Sequence, residues 1–145
     1  MLQSVYAQIA LVVYVLACAV AFAWGGRTER IGGAIIAFGV LATPILQDRR
    51  WDNVDLGLLG IDIVQMLAFI ALALISARLW AVSAAALMVL VVMVHFATLF
   101  DGAGQIFPYI SAFHAVGYLV LLSLIVGVIQ SRKRSRVSAV SGPWG

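Results

Sequence analysis

Charge is what this sequence has least of. Of its 145 residues only 10% are charged, while 64% are hydrophobic. A soluble domain averages about 25% charged and about 45–50% apolar residues. Too few polar side chains exist to cover a water-facing surface, so a soluble globular domain is excluded. The single cysteine, Cys18, excludes an intramolecular disulfide and says nothing of redox compartment. Residues 1–5 carry no Lys or Arg, and the first apolar run is too long for a signal-peptide core. That run is therefore read as a retained span. Also missing are G-x-S-x-G, H-E-x-x-H and the phosphate-binding G-x-x-x-x-G-K-[ST], so the chain does not read as an enzyme. The C-x-x-C-H of covalent haem attachment is absent too. Nucleic acid is not an expected partner.

What the chain does have is long apolar runs. A helix needs ~20 mostly apolar residues to cross ~30 Å of hydrocarbon. Five runs approach that length, over about 5–24, 31–47, 54–77, 79–100 and 108–130. They do not alternate as barrel strands would, and only helices or closed barrels satisfy their backbone in lipid. The expected fold is therefore all-α, a polytopic membrane bundle of about five transmembrane helices forming one domain over residues 1–130. The breaks agree: GGRTERIGG, QDRRWDN, the very short SARLW, and DGAGQIFP with Pro108 near a first helical turn. The second run is the shortest and carries Gly32, Gly33, Gly39 and Pro44.

Positive charge sets the expected orientation. With five spans the termini lie on opposite sides. If the C-terminus is cytoplasmic, Arg27, Arg30, Arg78, Arg132, Lys133, Arg134 and Arg136 lie inside, against Arg49 and Arg50 outside. That asymmetry follows the positive-inside rule. The chain is expected in a bacterial inner membrane with its N-terminus outside. Residues 131–145 then read as a basic, disordered cytoplasmic tail, with Arg132, Lys133, Arg134 and Arg136 able to attract anionic lipid or an acidic partner. Trp24, Trp51, Arg78 and Trp80 read as interfacial anchors, because Trp favours the headgroup level and Arg snorkels to it.

Among the charged residues only Asp62 falls well inside a span. An Asp at a helix centre costs roughly 2.5–3.5 kcal/mol on insertion scales. Asp62 must therefore face protein or water, or be protonated. At ~1.5 Å per residue Asp62 lies about 12 Å below Val54, His95 about 8 Å below Phe100, and His114 about 9 Å in from Pro108. Three helices thus bring their most polar side chains to a similar level. Gln65 shares the Asp62 stripe and Tyr118 the His114 stripe at three- and four-residue spacing. The expected polar cluster is Asp62, Gln65, His95, His114 and Tyr118. Small pairs at four-residue spacing, Ala17/Ala21, Gly33/Ala37 and Gly39/Thr43, suit close helix packing.

Several uses of that cluster stay open. Interhelical hydrogen bonds could fix helix register. A carboxylate beside histidines is also the usual start of a proton relay. His95, His114 and Asp62 match a two-His-one-carboxylate metal set, and the histidines could hold haem or pigment. No cofactor is expected, and a tight hairpin packs its helices only about 8–10 Å apart. The reading with fewest demands is a non-catalytic accessory or interaction subunit of a membrane assembly, whose partners are lipids and other membrane subunits or further copies of itself.

The stretch GIDIVQMLAFIALALISARLW followed by HFATLFD resembles small multi-pass bacterial membrane proteins of uncharacterised function. There, a span with an early Asp ends in a Ser-x-Arg-x-Trp-like turn, and the next span carries a His before an acidic loop. The likeness covers residues 51–120. It implies a multi-pass membrane protein and no particular activity.

Overall fold

The computed structural model describes residues 2–46, 56–101 and 106–140. Five helices follow in order: α1 Leu2–Trp24, α2 Arg27–Leu46, α3 Leu56–Ser76, α4 Leu79–Asp101 and α5 Ile106–Val140. No strand occurs among the described residues. Sequence neighbours pack side by side, and α5 returns to α1 and α2, so the helices close into a ring. The core inside that ring includes Ala17, Ala21, Ile36, Phe69, Trp80, Ala84, Met88 and Leu124.

The exterior is as apolar as the core. Leu41, Ile45, Leu74, Ile75 and Leu79 are 69–85% exposed, and many more Leu, Val and Ile side chains face outward from every helix. A helix bundle that is hydrophobic all round has lipid as its natural solvent. Among the described residues three segments are long and apolar enough to cross a membrane: Gly57–Ser76, Leu79–Ala97 and His114–Val137. The α2 helix differs because it starts at Arg27, earlier than the apolar run suggests, and takes Arg27, Glu29 and Arg30 into its first turns.

Two links show how the helices are joined. Each has two residues, Gly25–Gly26 and Ala77–Arg78. The first residue of each donates its N–H back into the finished helix: Gly25 to Ala21 O at 2.9 Å, and Ala77 to Ala73 O at 3.0 Å. The second caps the next helix through its carbonyl, Gly26 to Arg30 N at 3.0 Å and Arg78 to Val82 N at 3.1 Å. Ala77 reaches its place only at φ 49°. The left-handed region costs an L-residue about 1–2 kcal/mol, partly offset in any comparison by the greater backbone entropy of glycine. Ala77→Gly is therefore expected to raise stability by about 0.5–1 kcal/mol. Unfolding in mixed micelles would check this, and a destabilised variant would show that Ala77 is unstrained.

Contacts between α1 and α2 follow the small-residue pattern. Ala17, Ala21 and Gly33 are buried, and a Cβ on Gly33 would lie 3.1 Å from the Ala21 methyl. At the other extreme α5 is longer than expected. Its 35 residues extend about 52 Å at ~1.5 Å per residue, well past a ~30 Å hydrocarbon core. Residues 131–140 are thus a helical continuation of α5, which corrects the expectation of a disordered tail there; residues 141–145 lie outside the described residues. Ser131 to Arg136 contain no glycine or proline, and Arg and Lys are good helix formers.

Candidate functional site

Two polar pairs tie the helices together at different levels. The first joins α3 to α4. His95 Nε2 and Asp62 Oδ2 lie 2.7 Å apart. One proton lies between them, on the imidazole when the carboxylate is ionised and on the carboxyl otherwise. The side chains are 15% and 23% exposed, so the pair is shielded without being sealed. The matched depths of Asp62 and His95 in the sequence thus correspond to a direct contact.

The rest of the expected cluster divides. Gln65 turns to α2, where its Nε2 donates to the Ile35 carbonyl at 2.9 Å. It reaches that carbonyl because Gly39 has no side chain: a Cβ there would lie 2.1 Å from the Gln65 amide nitrogen. His114 is exposed on α5. Tyr118 is 40% exposed, and its ring lies 6.5 Å from that of Tyr14 on α1. Tyr14 was not singled out from the sequence. Its hydroxyl rests on Gly117 of α5, where a Cβ would approach to 2.3 Å. A tyrosine in an apolar run carries no sequence signal for this. Only the bundle brings Tyr14 of α1 to Gly117 and Tyr118 of α5.

The second pair was not expected. Glu29 is wholly buried at the start of α2. Its Oε1 forms an ion pair with Arg78 Nη1 and accepts a hydrogen bond from Trp80 Nε1 at 3.1 Å. Trp80 is 3% exposed, and its indole lies in a slot between α2 and α5. Cβ atoms on Gly32 or Gly127 would stand 2.6–2.7 Å from the ring. Trp80 is thus turned into the bundle, and Arg78 is engaged with Glu29 while staying partly exposed. A buried carboxylate needs a cation and a donor, and these two residues supply them. One clue was present in the sequence. Glu29 is the sole acid amid the seven basic residues assigned to one side.

Trp24 is 54% exposed, with the Arg132 guanidinium 4.8 Å from its ring centroid. Trp51 lies outside the described residues. The Arg132–Trp24 contact and the approach of Ser131 to Gly26 bring the start of the α5 extension to the same end as both two-residue links. Arg27, Arg30, Arg78 and Arg132 are thereby gathered at one end of the bundle.

No group of three metal-ligating side chains occurs among the described residues. Chemically, the Asp62–His95 pair can exchange a proton or brace two helices. The Glu29 pair, with no exposed carboxylate, can act as a brace. Comparisons with family models, with curated proteins and with solved structures returned no match.

Proposed function

We propose that this is a small, non-catalytic integral membrane subunit of a larger membrane assembly, with five spans, its N-terminus outside and its basic C-terminal end in the cytoplasm of a bacterium. The observation that carries this reading is how the interior polar side chains are used. Glu29, Arg78, Trp80, Gln65, Asp62 and His95 all bond to another helix or to an adjoining link of the same chain. Such bonds average about 0.6 kcal/mol in membranes and reach about 1.7, enough to fix register. Asp62→Asn and His95→Ala are accordingly expected to lower stability by about 0.6–1.7 kcal/mol with the helix content intact. A thiol placed at Asp101→Cys is expected to react with impermeant reagent from outside; labelling only from the cytoplasm would reverse the topology.

A second reading is proton or ion conduction through the Asp62–His95 pair. It is favoured by the partial exposure of both side chains. Vesicles containing the purified protein and a trapped pH dye separate the two. The subunit reading expects no proton leak above empty vesicles. A leak abolished by Asp62→Asn would replace it with the conducting one. The visible spectrum of the same preparation tests the haem or pigment alternative. A band lost in His95→Ala or His114→Ala would make those residues ligands.

A further inference from the structure

The basic end of the bundle carries a feature that the two polar pairs do not use. An open cavity of about 490 Å³ is lined by Gly25, Gly26, Arg27, Arg30, Ile31 and Ala34. Positions 27, 30, 31 and 34 follow helical spacing and form one face of α2. All four are exposed. Along that face the chemistry changes in one direction: two guanidinium side chains come first, then two apolar ones. Ala34 lies about 10 Å along the axis from Arg27 at ~1.5 Å per residue. In a bilayer this runs from the headgroup level to the upper acyl region, with Trp24 alongside as the headgroup-level aromatic.

Among the described residues the charge at the cavity is left uncancelled. Glu29, between the two arginines in sequence, is turned inward and wholly buried on Arg78. No ion pair holds Arg27 or Arg30 among the described residues. Gly25 and Gly26 add no side chains that could obstruct the cavity beside them. A ligand that fits must carry negative charge at one end and hydrocarbon at the other.

We propose that this cavity is a binding site for one anionic phospholipid, its phosphate held by Arg27 and Arg30 and the start of an acyl chain lying along Ile31 and Ala34. The proposal rests on the membrane reading above. A phosphate in the open, without hydrocarbon, would have no use for the apolar half of the face.

The test uses the full chain in mild non-ionic detergent, followed by native mass spectrometry. Phosphatidylglycerol and phosphatidylcholine with identical acyl chains are titrated in, with glycerol 1-phosphate as a headgroup-only competitor. The expected result is one retained phosphatidylglycerol with a preference of about twenty-five-fold over phosphatidylcholine, since each of the two arginines near an anionic headgroup contributes about a factor of five. Arg27→Gln/Arg30→Gln is expected to bring retention down to the phosphatidylcholine level. Arg134→Gln/Arg136→Gln is expected to leave the preference in place. Ala34→Trp, which fills the apolar half at an exposed position, is expected to weaken phosphatidylglycerol without altering charge. Equal retention of both lipids, a preference that survives loss of both arginines, or equal weakening by the α5 variant would overturn the proposal. So would displacement of the lipid by stoichiometric glycerol 1-phosphate, which would indicate a site for free phosphate. Extraction of cell membranes with alkaline carbonate keeps the two readings apart. A chain released by carbonate defeats the membrane reading; a chain retained but indifferent to headgroup defeats only the lipid site.

Discussion

Arg78→Ala is expected to cost about 3 kcal/mol of stability, because it strands the Glu29 carboxylate in the core. Removing one partner of a buried ion pair typically costs about 3–5 kcal/mol. The lower figure applies here because Arg78 is 32% exposed while Glu29 has no exposure at all. Trp80 would remain as the only donor to Glu29 among the described residues, and its one N–H cannot balance a full charge. Oε2 is already buried without a hydrogen-bond partner among the described residues, so nothing on that side can compensate. The decisive comparison is the double variant Glu29→Gln/Arg78→Ala. Gln carries no charge, and its amide oxygen can still accept from Trp80. The double variant is therefore expected to recover much of the loss. Reversible unfolding in mixed micelles would measure all three proteins. An Arg78→Ala protein within about 0.5 kcal/mol of the parent would mean that Glu29 is protonated or hydrated, and the pair would lose its role as a brace.

Gly127→Val should be nearly as damaging, for a reason of shape. The first added carbon would lie 2.6–2.8 Å from three atoms of the Trp80 indole. Valine then adds two more carbons into the same slot. Overpacking of this kind costs about 1–3 kcal/mol, and the upper part of that range is expected because the ring is also pinned by its bond to Glu29. Gly32 closes the opposite side, 2.7 Å from the ring by the same measure. The indole therefore has no direction in which to retreat. Trp80→Leu relieves the crowding while creating a cavity of its own, for which a large-to-small core change costs up to about 3–5 kcal/mol. If the slot is the cause, Gly127→Val/Trp80→Leu will be more stable than the sum of the single losses predicts, by about 1 kcal/mol or more. Strict additivity would show that Gly127 matters for some other reason.

These two results bear on one structural habit. Three side chains with polar ends, Trp80, Gln65 and Tyr14, rest where another helix has a glycine. In lipid no hydrophobic force draws helices together, so close approach and interhelical hydrogen bonds carry the association. A glycine provides both. It removes the steric shell of the helix, and at Gly39 it exposes the Ile35 carbonyl as an acceptor for Gln65. The small-residue spacing in the sequence marks these positions as contacts. It does not tell which side chain arrives there.

Composition and hydropathy by themselves missed the early start of α2 at Arg27 and the extension of α5 to Val140, but determined that the chain is helical and suited to lipid and how many helices it has. They do so because apolar length and Gly or Pro breaks are local properties that need no partner. Depth along each run also brought Asp62 and His95 to one level, since the helix rise is constant and the α3–α4 hairpin is short. Only the tertiary structure decided the partners. Whether Gln65 faces Asp62 or Ile35 depends on the rotation of α3 against α2, and whether Arg78 snorkels outward or turns to Glu29 depends on the Ala77 turn. The Glu29–Arg78–Trp80 set joins residues about fifty positions apart. Glu29 looked like loop polarity because hydropathy averages over a window, and two neighbouring arginines hid it. A charge becomes buried through what packs over it from other helices, and no local average contains that information.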